Sequence, residues 1–380
     1  MPGMGRSLQT GNSLIVSSFH AALWHQLLVV VAVVLACAVT FNVVRTLQYR
    51  RLTADGRRAF PTPGVVDPEP VARRVVRIGF GALWILDGLL QIQASMPLGL
   101  PSGVIEPAAR TSPAWVQHVV NSGVGIWSDH PIQAAAATVW IQVGLGIWLL
   151  VAPRGRWSRL GGAASAAWGM LVWVFGESFG GVFAPGLTWL FGAPGAVLFY
   201  VIAGVLVALP ERAYATDRLG RAVLRAGGIF LIGMSLLQAW PGRGFWQGTA
   251  HGRPGTLAGM TSSMASTSQP HFLSSLINAF TGFDEAHGFA VNLFVVVALV
   301  VIGGIFLSGR RRSVRSALIA FTVLCLADWV LIEDLGFLGG LGTDPNSMIP
   351  FALLAISGYL ALVPAPAAAA APATAAASAT

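Results

Sequence analysis

The chain has 380 residues, 55% of them hydrophobic and only 10% charged, against roughly 25% charged in an ordinary soluble domain. Apolar stretches of about 17 to 25 residues recur, the length that crosses a hydrocarbon core of about 30 Å, which excludes a soluble enzyme and predicts a polytopic helical membrane protein. The net charge of +8 invites a nucleic-acid reading, but its placement argues against one: all 23 basic residues are arginine, gathered mainly in residues 45–77, 154–159, 212–225 and 310–315. Basic loops that alternate with nearly uncharged ones follow the positive-inside rule, so these four should face the cytoplasm, against anionic lipid.

In chain order, residues 1–26 are Gly/Ser-rich and form an expected extracytoplasmic segment. They lack the basic start and cleavage site of a secretory signal, so residues 27–44 should be a retained first helix. A basic cytoplasmic linker covers residues 45–76 and carries two Pro-rich turns, Phe60-Pro61-Thr62-Pro63 and Asp67-Pro68-Glu69-Pro70, which break helix. Residues 77–210 read as a four-helix unit: helices at 78–96, 132–152, 160–175 and 193–209, the first carrying Asp87 and ending in Gln91-Ile92-Gln93. Residues 97–129 are too polar to span, and Trp115, Val119, Val120 and Ile126 suggest a helix lying in the interface. Pro131 suits a helix start, where its missing N–H costs nothing. Residues 211–225 form a basic cytoplasmic loop.

A second unit, residues 226–364, has helices predicted at 226–240, 289–307, 317–332 and 348–363. Its long outer segment, 241–288, holds His251, Met260, Met264, His271, Asp284 and Glu285. Sliding the sequence by about 157 positions lays Pro113 on Pro270, His130 on His287, Gly146 on Gly303, Arg154 on Arg311 and Glu177 on Asp334. This is an internal repeat. With four helices in each, both units would insert in one orientation, related by an axis along the membrane normal. The fold class expected is therefore all-α, a bundle of about nine transmembrane helices: two tandem parallel repeats plus one N-terminal helix. The chain would be multi-pass in the plasma membrane with its N-terminus outside. The tail, residues 365–380, is Ala/Pro low complexity and expected to be disordered and cytoplasmic. Cys37 and Cys325 sit in separate apolar runs and read as small buried residues, not as a redox or metal pair.

An ionisable residue within a span is costly and so a functional candidate. Asp87, Glu177, Asp328 and Asp334 are the candidates for proton or substrate chemistry, or for interhelical hydrogen bonds that hold the packing. Asp87 and Gln91 lie one turn apart and make a polar stripe. Glu177 and Asp334 stand before glycine-rich turns that either admit a ligand or tighten a hairpin. His130 and His287, at matching helix starts, could together ligate a haem iron or a metal, or serve as helix-start hydrogen-bonding residues. No motif for a nucleotide, a zinc protease or a serine nucleophile is present.

The stretches Leu83-Trp84-Ile85-Leu86-Asp87-Gly88-Leu89-Leu90-Gln91 and Ile141-Gln142-Val143-Gly144-Leu145-Gly146-Ile147-Trp148-Leu149-Leu150 resemble the DoxX-like family of four-helix membrane proteins. The resemblance covers about residues 72–210 well and 221–364 weakly. The family usually carries an acid where Gln142 stands here. It implies association with membrane oxidoreductase systems, including a thiosulfate:quinone oxidoreductase. The expectation drawn from it is a membrane subunit of an electron-transfer system with a redox protein partner, binding quinone or haem near His130, His287, Gln91 and Gln142. A solute permease centred on Asp87 and Asp328, or a scaffold, is the alternative.

Overall fold

The computed structural model describes residues 12–54, 68–250, 252–267, 269–338 and 341–362. His251, the Gly339-Gly340 pair, residues 55–67 of the linker and the Ala/Pro tail lie outside the described residues. The protein is all-α. Its helices are α1 (Ser13–Ala54), α2 (Val71–Leu90), α3 (Ala114–Asp129), α4 (Pro131–Val151), α5 (Gly155–Leu171), α6 (Ala196–Ala208), α7 (Arg218–Gln238), α8 (Thr256–Ala265), α9 (His271–Ser308), α10 (Arg311–Leu331) and α11 (Met348–Leu360). Among the described residues five stretches, Ser13–Gln48 of α1 and helices α4, α7, α9 and α10, are long and apolar enough to cross a membrane, and α6 and α11 are shorter apolar helices. These features suggest a membrane protein.

Several boundaries differ from the sequence reading, each for a local reason. The first helix runs from Ser13, not from residue 27, because Phe19 and Leu23 pack against Ala135, Ala136 and Val139 of α4 and hold the extra turns. It also continues to Ala54, into the expected linker. From residue 28 to residue 48 the helix is exposed, Cys37 included, so only Cys325 is the buried residue expected of both. The helix carrying Asp87 begins at Val71, since Pro70 closes the turn before it. In the second half, α9 is one helix from His271 through the expected outer segment, bent at His287 (φ −131°).

Helix pairs α2–α4, α5–α6 and α7–α9 pack closely, and α11 fits between α2, α6 and α7. Small residues set the approach, as expected where dispersion rather than water drives association. A Cβ placed on Gly146 would lie 2.5 Å from the Gly81 carbonyl oxygen, and one on Gly228 would lie 2.6 Å from that of Gly303. Where the two halves meet, Phe351 stacks on Phe199 and meets Phe230 and Phe321 edge-on.

The arginine-rich end of the bundle is locked by a buried ion cluster. Glu69 pairs with Arg73 at 3.0 Å and with Arg77 at 2.9 Å. Arg77 also donates to the Leu149 and Leu150 carbonyls of α4, and Arg73 to the Pro153 and Val207 carbonyls and to Ser158 Oγ. The two guanidinium groups thus satisfy carbonyls that the ends of α4 and α6 leave open.

Candidate ligand cavity

At the opposite end of the bundle a cavity of about 690 Å³ lies between α2, α4, α5 and the loops that precede α6 and α11. Its wall is mainly apolar and aromatic, with Trp84, Trp127, Trp168, Phe175 and Phe191. Met260 and Met264, one turn apart on α8, roof it from the second half. Ile126 and Leu171 belong to the lining yet are 75% and 51% exposed, so the mouth is apolar and opens on the side of the bundle.

Asp87 sits in the last turn of α2, 2% exposed, with neither carboxylate oxygen hydrogen-bonded. The Tyr200 hydroxyl faces it without a hydrogen bond of good geometry, and it too has no partner. The Oε1 atoms of Gln91 and Gln142 and the Trp168 indole N–H are equally buried and unsatisfied. Such groups cost about 1–3 kcal/mol each when left unpaired, so a cluster of them on one cavity marks a place for a ligand or ordered water. Gly88 lets α4 reach Asp87: a Cβ there would lie 2.6 Å from Val143 Cγ2.

Two loops of the same construction bring further carboxylates. After α5 the chain makes a wide turn, Glu177 N–H donating to Val172 O at 3.0 Å, and Ser178, Phe179 and Gly180 follow with positive φ. The Glu177 carboxylate then accepts the Val197 N–H at the start of α6, and Trp173 Nε1 donates to Pro194 O. After α10, Glu333 N–H donates to Asp328 O at 3.0 Å, with Asp334, Leu335 and Gly336 at positive φ. Glu333 accepts the Ser347 and Met348 N–H groups at the start of α11, and Trp329 Nε1 donates to Pro345 O. Each carboxylate satisfies the open N–H groups of a helix start, where the dipole favours negative charge. In these two loops Glu333, one residue before the expected Asp334, makes the helix-start contacts that Glu177 makes. The turn between α4 and α5 has three residues and that between α9 and α10 only two, which shifts the register by one. The Ser347 hydroxyl donates to Gly192 O at 2.5 Å and so ties the loops together.

Asp344 completes the acidic end and accepts Thr343 Oγ1 and the Asn346 N–H, each at 2.8 Å. Glu177 and Asp344 are only partly covered by protein because they face the cavity. Desolvation raises the pKa of Glu177, and the Asp344 charge adds to this. Desolvation also raises Asp344 and pushes Glu333 from 4.5 up to about 8, against the two N–H groups that hold it. Between those two pH values the folded state binds the proton and the unfolded chain does not. The contribution to stability is thus full below about pH 4.5 and is lost as pH rises towards 8. The melting temperature of the purified protein should fall from about pH 5 to 8, and Glu333→Gln, which cannot ionise, should flatten that fall.

Of the residues singled out from sequence, Asp87, Gln91, Gln142 and Glu177 meet on the cavity. Asp328 and Asp334 do not line it. Asp328 is buried behind the wall beside Glu333, both oxygens unpartnered, one turn from buried Cys325. Asp334 points the other way, within 3.5 Å of Thr267 Oγ1. His130 and His287 both mark helix breaks, but both are exposed and neither lines the cavity; His287 bonds its own helix at Phe283 O and stacks on the Phe283 ring. Among the described residues no three His, Cys, Asp or Glu side chains are grouped to hold a metal ion. Sequence reasoning missed Asp344 and Tyr200. A Thr343-Asp344-Pro345-Asn346 turn signals a loop, not a buried acid, and Tyr200 reads as one more apolar residue of α6. In the second half Gln238 is bonded to Thr188 and, at 2.8 Å, to Asn292, whose own Nδ2 has no partner. Comparison with protein-family models, curated proteins and solved structures gives no match for this chain.

Proposed function

We propose that this chain is a DoxX-like membrane protein of two tandem four-helix units and one N-terminal helix, nine spans in all, which binds the ring of a quinol-class molecule in the cavity as the membrane subunit of a redox system. The duplication is supported by the paired Gly81–Gly146 and Gly228–Gly303 contacts and by the two carboxylate-capped loops. On the arginine distribution the cavity lies at the outer leaflet, with the N-terminus outside. The observation that carries the ligand class is the cavity itself: an aromatic chamber with an apolar side mouth whose polar end offers mostly hydrogen-bond acceptors. An amphiphile arriving from lipid with phenolic hydroxyls to donate suits those atoms. Thiosulfate suits them poorly, because the lining has no cation to meet an anion. Haem finds less support than a quinol, since His130 and His287 lie off the cavity. The permease reading loses Asp328 as a contact for the same reason.

The test is titration of the purified protein with a short-chain quinol, read by quenching of the tryptophans that line the cavity. Saturable quenching is expected, weakened about tenfold or more by Gln142→Leu, which removes an acceptor and leaves the wall apolar. Quenching that does not saturate, or that is indifferent to Gln142→Leu, would sink the assignment.

A further inference from the structure

We propose that the same cavity takes up a small lipophilic organic cation, the cation entering from the side mouth as the acid cluster releases one proton to solvent. This goes beyond the quinol reading and does not depend on it. Four carboxyl groups, Asp87, Glu177, Glu333 and Asp344, line one cavity, and none of its lining residues is Arg, Lys or His. Three of the four have backbone or side-chain donors. Asp87 makes no hydrogen bond of good geometry, with only the Tyr200 hydroxyl facing it, and it is buried. A carboxylate buried there with no cation beside it lacks a counter-charge, which an arriving cation would supply.

The groups facing it are known from every side. They are Tyr200 from α6, Glu177 from the loop after α5, and Asp344 with Glu333 from the loop before α11, with Asp328 behind Glu333. From α4 come Gln142 and Thr138, and from α8 Met260 and Met264. Among the described residues no cation lines the cavity to neutralise an ionised Asp87, so the missing charge must come from outside.

What kind of cation follows from the wall. An inorganic ion needs several oxygen ligands within about 2.6 Å of one point, and the acids are not grouped that way among the described residues. The aromatic lining instead suits an ammonium or phosphonium centre, which the faces of Trp and Phe rings attract without the cost of hydrating a small ion. The apolar mouth at Ile126 and Leu171 admits a lipophilic molecule and opposes a hydrated one. The balance is simple: a protonated acid and a free cation become an ion pair and a proton in water, with no bond made to the ligand.

Benzyltrimethylammonium and its neutral isostere neopentylbenzene are suitable probes, measured by calorimetry on the detergent-purified full chain in buffers of different ionisation enthalpy. The cation should bind more tightly as pH rises, up to about tenfold per pH unit, with about one proton released per cation bound. Asp87→Asn, isosteric and uncharged, should lose that proton release and weaken cation binding about tenfold or more, while the neutral probe binds it as before. Asp344→Asn, in a loop, should weaken cation binding in the same direction and guards against a folding defect in the first variant. Equal affinity for the two probes, or cation binding without pH dependence or proton release, would overturn the proposal. A quinol that binds where the cation does not would overturn this inference alone.

Discussion

Replacing Glu69 with leucine should destabilise the protein by about 3–5 kcal/mol, the cost of stranding buried charge when one partner of an ion cluster is removed. Glu69 is the acid that pairs with Arg73 and Arg77, both nearly inaccessible, and it accepts two hydrogen bonds from Arg77 alone. Arg74, largely exposed, is the outer member at 3.8 Å and matters less. Without Glu69 the two guanidinium groups keep their carbonyl partners but lose their counter-charge, in the region where α2, α4 and α6 converge. The measurement is thermal unfolding in detergent. A fall in melting temperature equal to that of Arg74→Ala, which touches the same acid from the surface, would contradict the account. The triple replacement of Glu69, Arg73 and Arg77 by apolar residues should cost less than Glu69→Leu alone, because no unpaired charge remains.

The second large effect is steric and reaches the cavity. Gly146→Leu should push α2 and α4 apart, since even a Cβ there meets the Gly81 carbonyl at 2.5 Å and Ile85 Cγ1 at 2.6 Å. Both nearest neighbours belong to the α2 core, and a backbone oxygen cannot turn aside as a side-chain tip can. Overpacking of this kind costs about 1–3 kcal/mol, and more where backbone must move. Asp87 and Gln142 lie on those same two helices, so ligand binding should be lost together with stability. Gly144→Leu is the control: nothing lies within 4 Å of a Cβ placed there, and it should leave melting and binding near those of the unmodified protein. If Gly144→Leu and Gly146→Leu behave alike, helix propensity rather than contact is responsible.

The sequence allowed much of this to be read, and the failures have physical causes. Helix order and the alternation of arginine-rich turns follow from hydropathy, because spans must be apolar for about 20 residues. His130 and His287 both fall where backbone leaves the helical region, φ −143° and −131°. Their chemistry did not follow from that position. A residue at a helix break points where the bend sends it, here to the outside. That Glu333 rather than Asp334 holds the start of α11 is not legible from spacing, because the turn between α9 and α10 is one residue shorter than that between α4 and α5 and leaves no trace in apolar periodicity. Asp344 lies in a polar loop and gains its importance only from the fold that tucks the loop against α2. Asp87 and Gln91, by contrast, were visible from their spacing alone.

The polar residues of the second half have a bearing on stoichiometry. Gln238 accepts a hydrogen bond from Thr188 and donates one to Asn292, whereas both Asp87 oxygens and Gln91 Oε1 have no partner. On the proposed reading, the described residues of one chain offer one seat. Titrations should saturate at a single equivalent, following a simple hyperbola, and any sigmoidal response would have to arise between separate chains in the membrane.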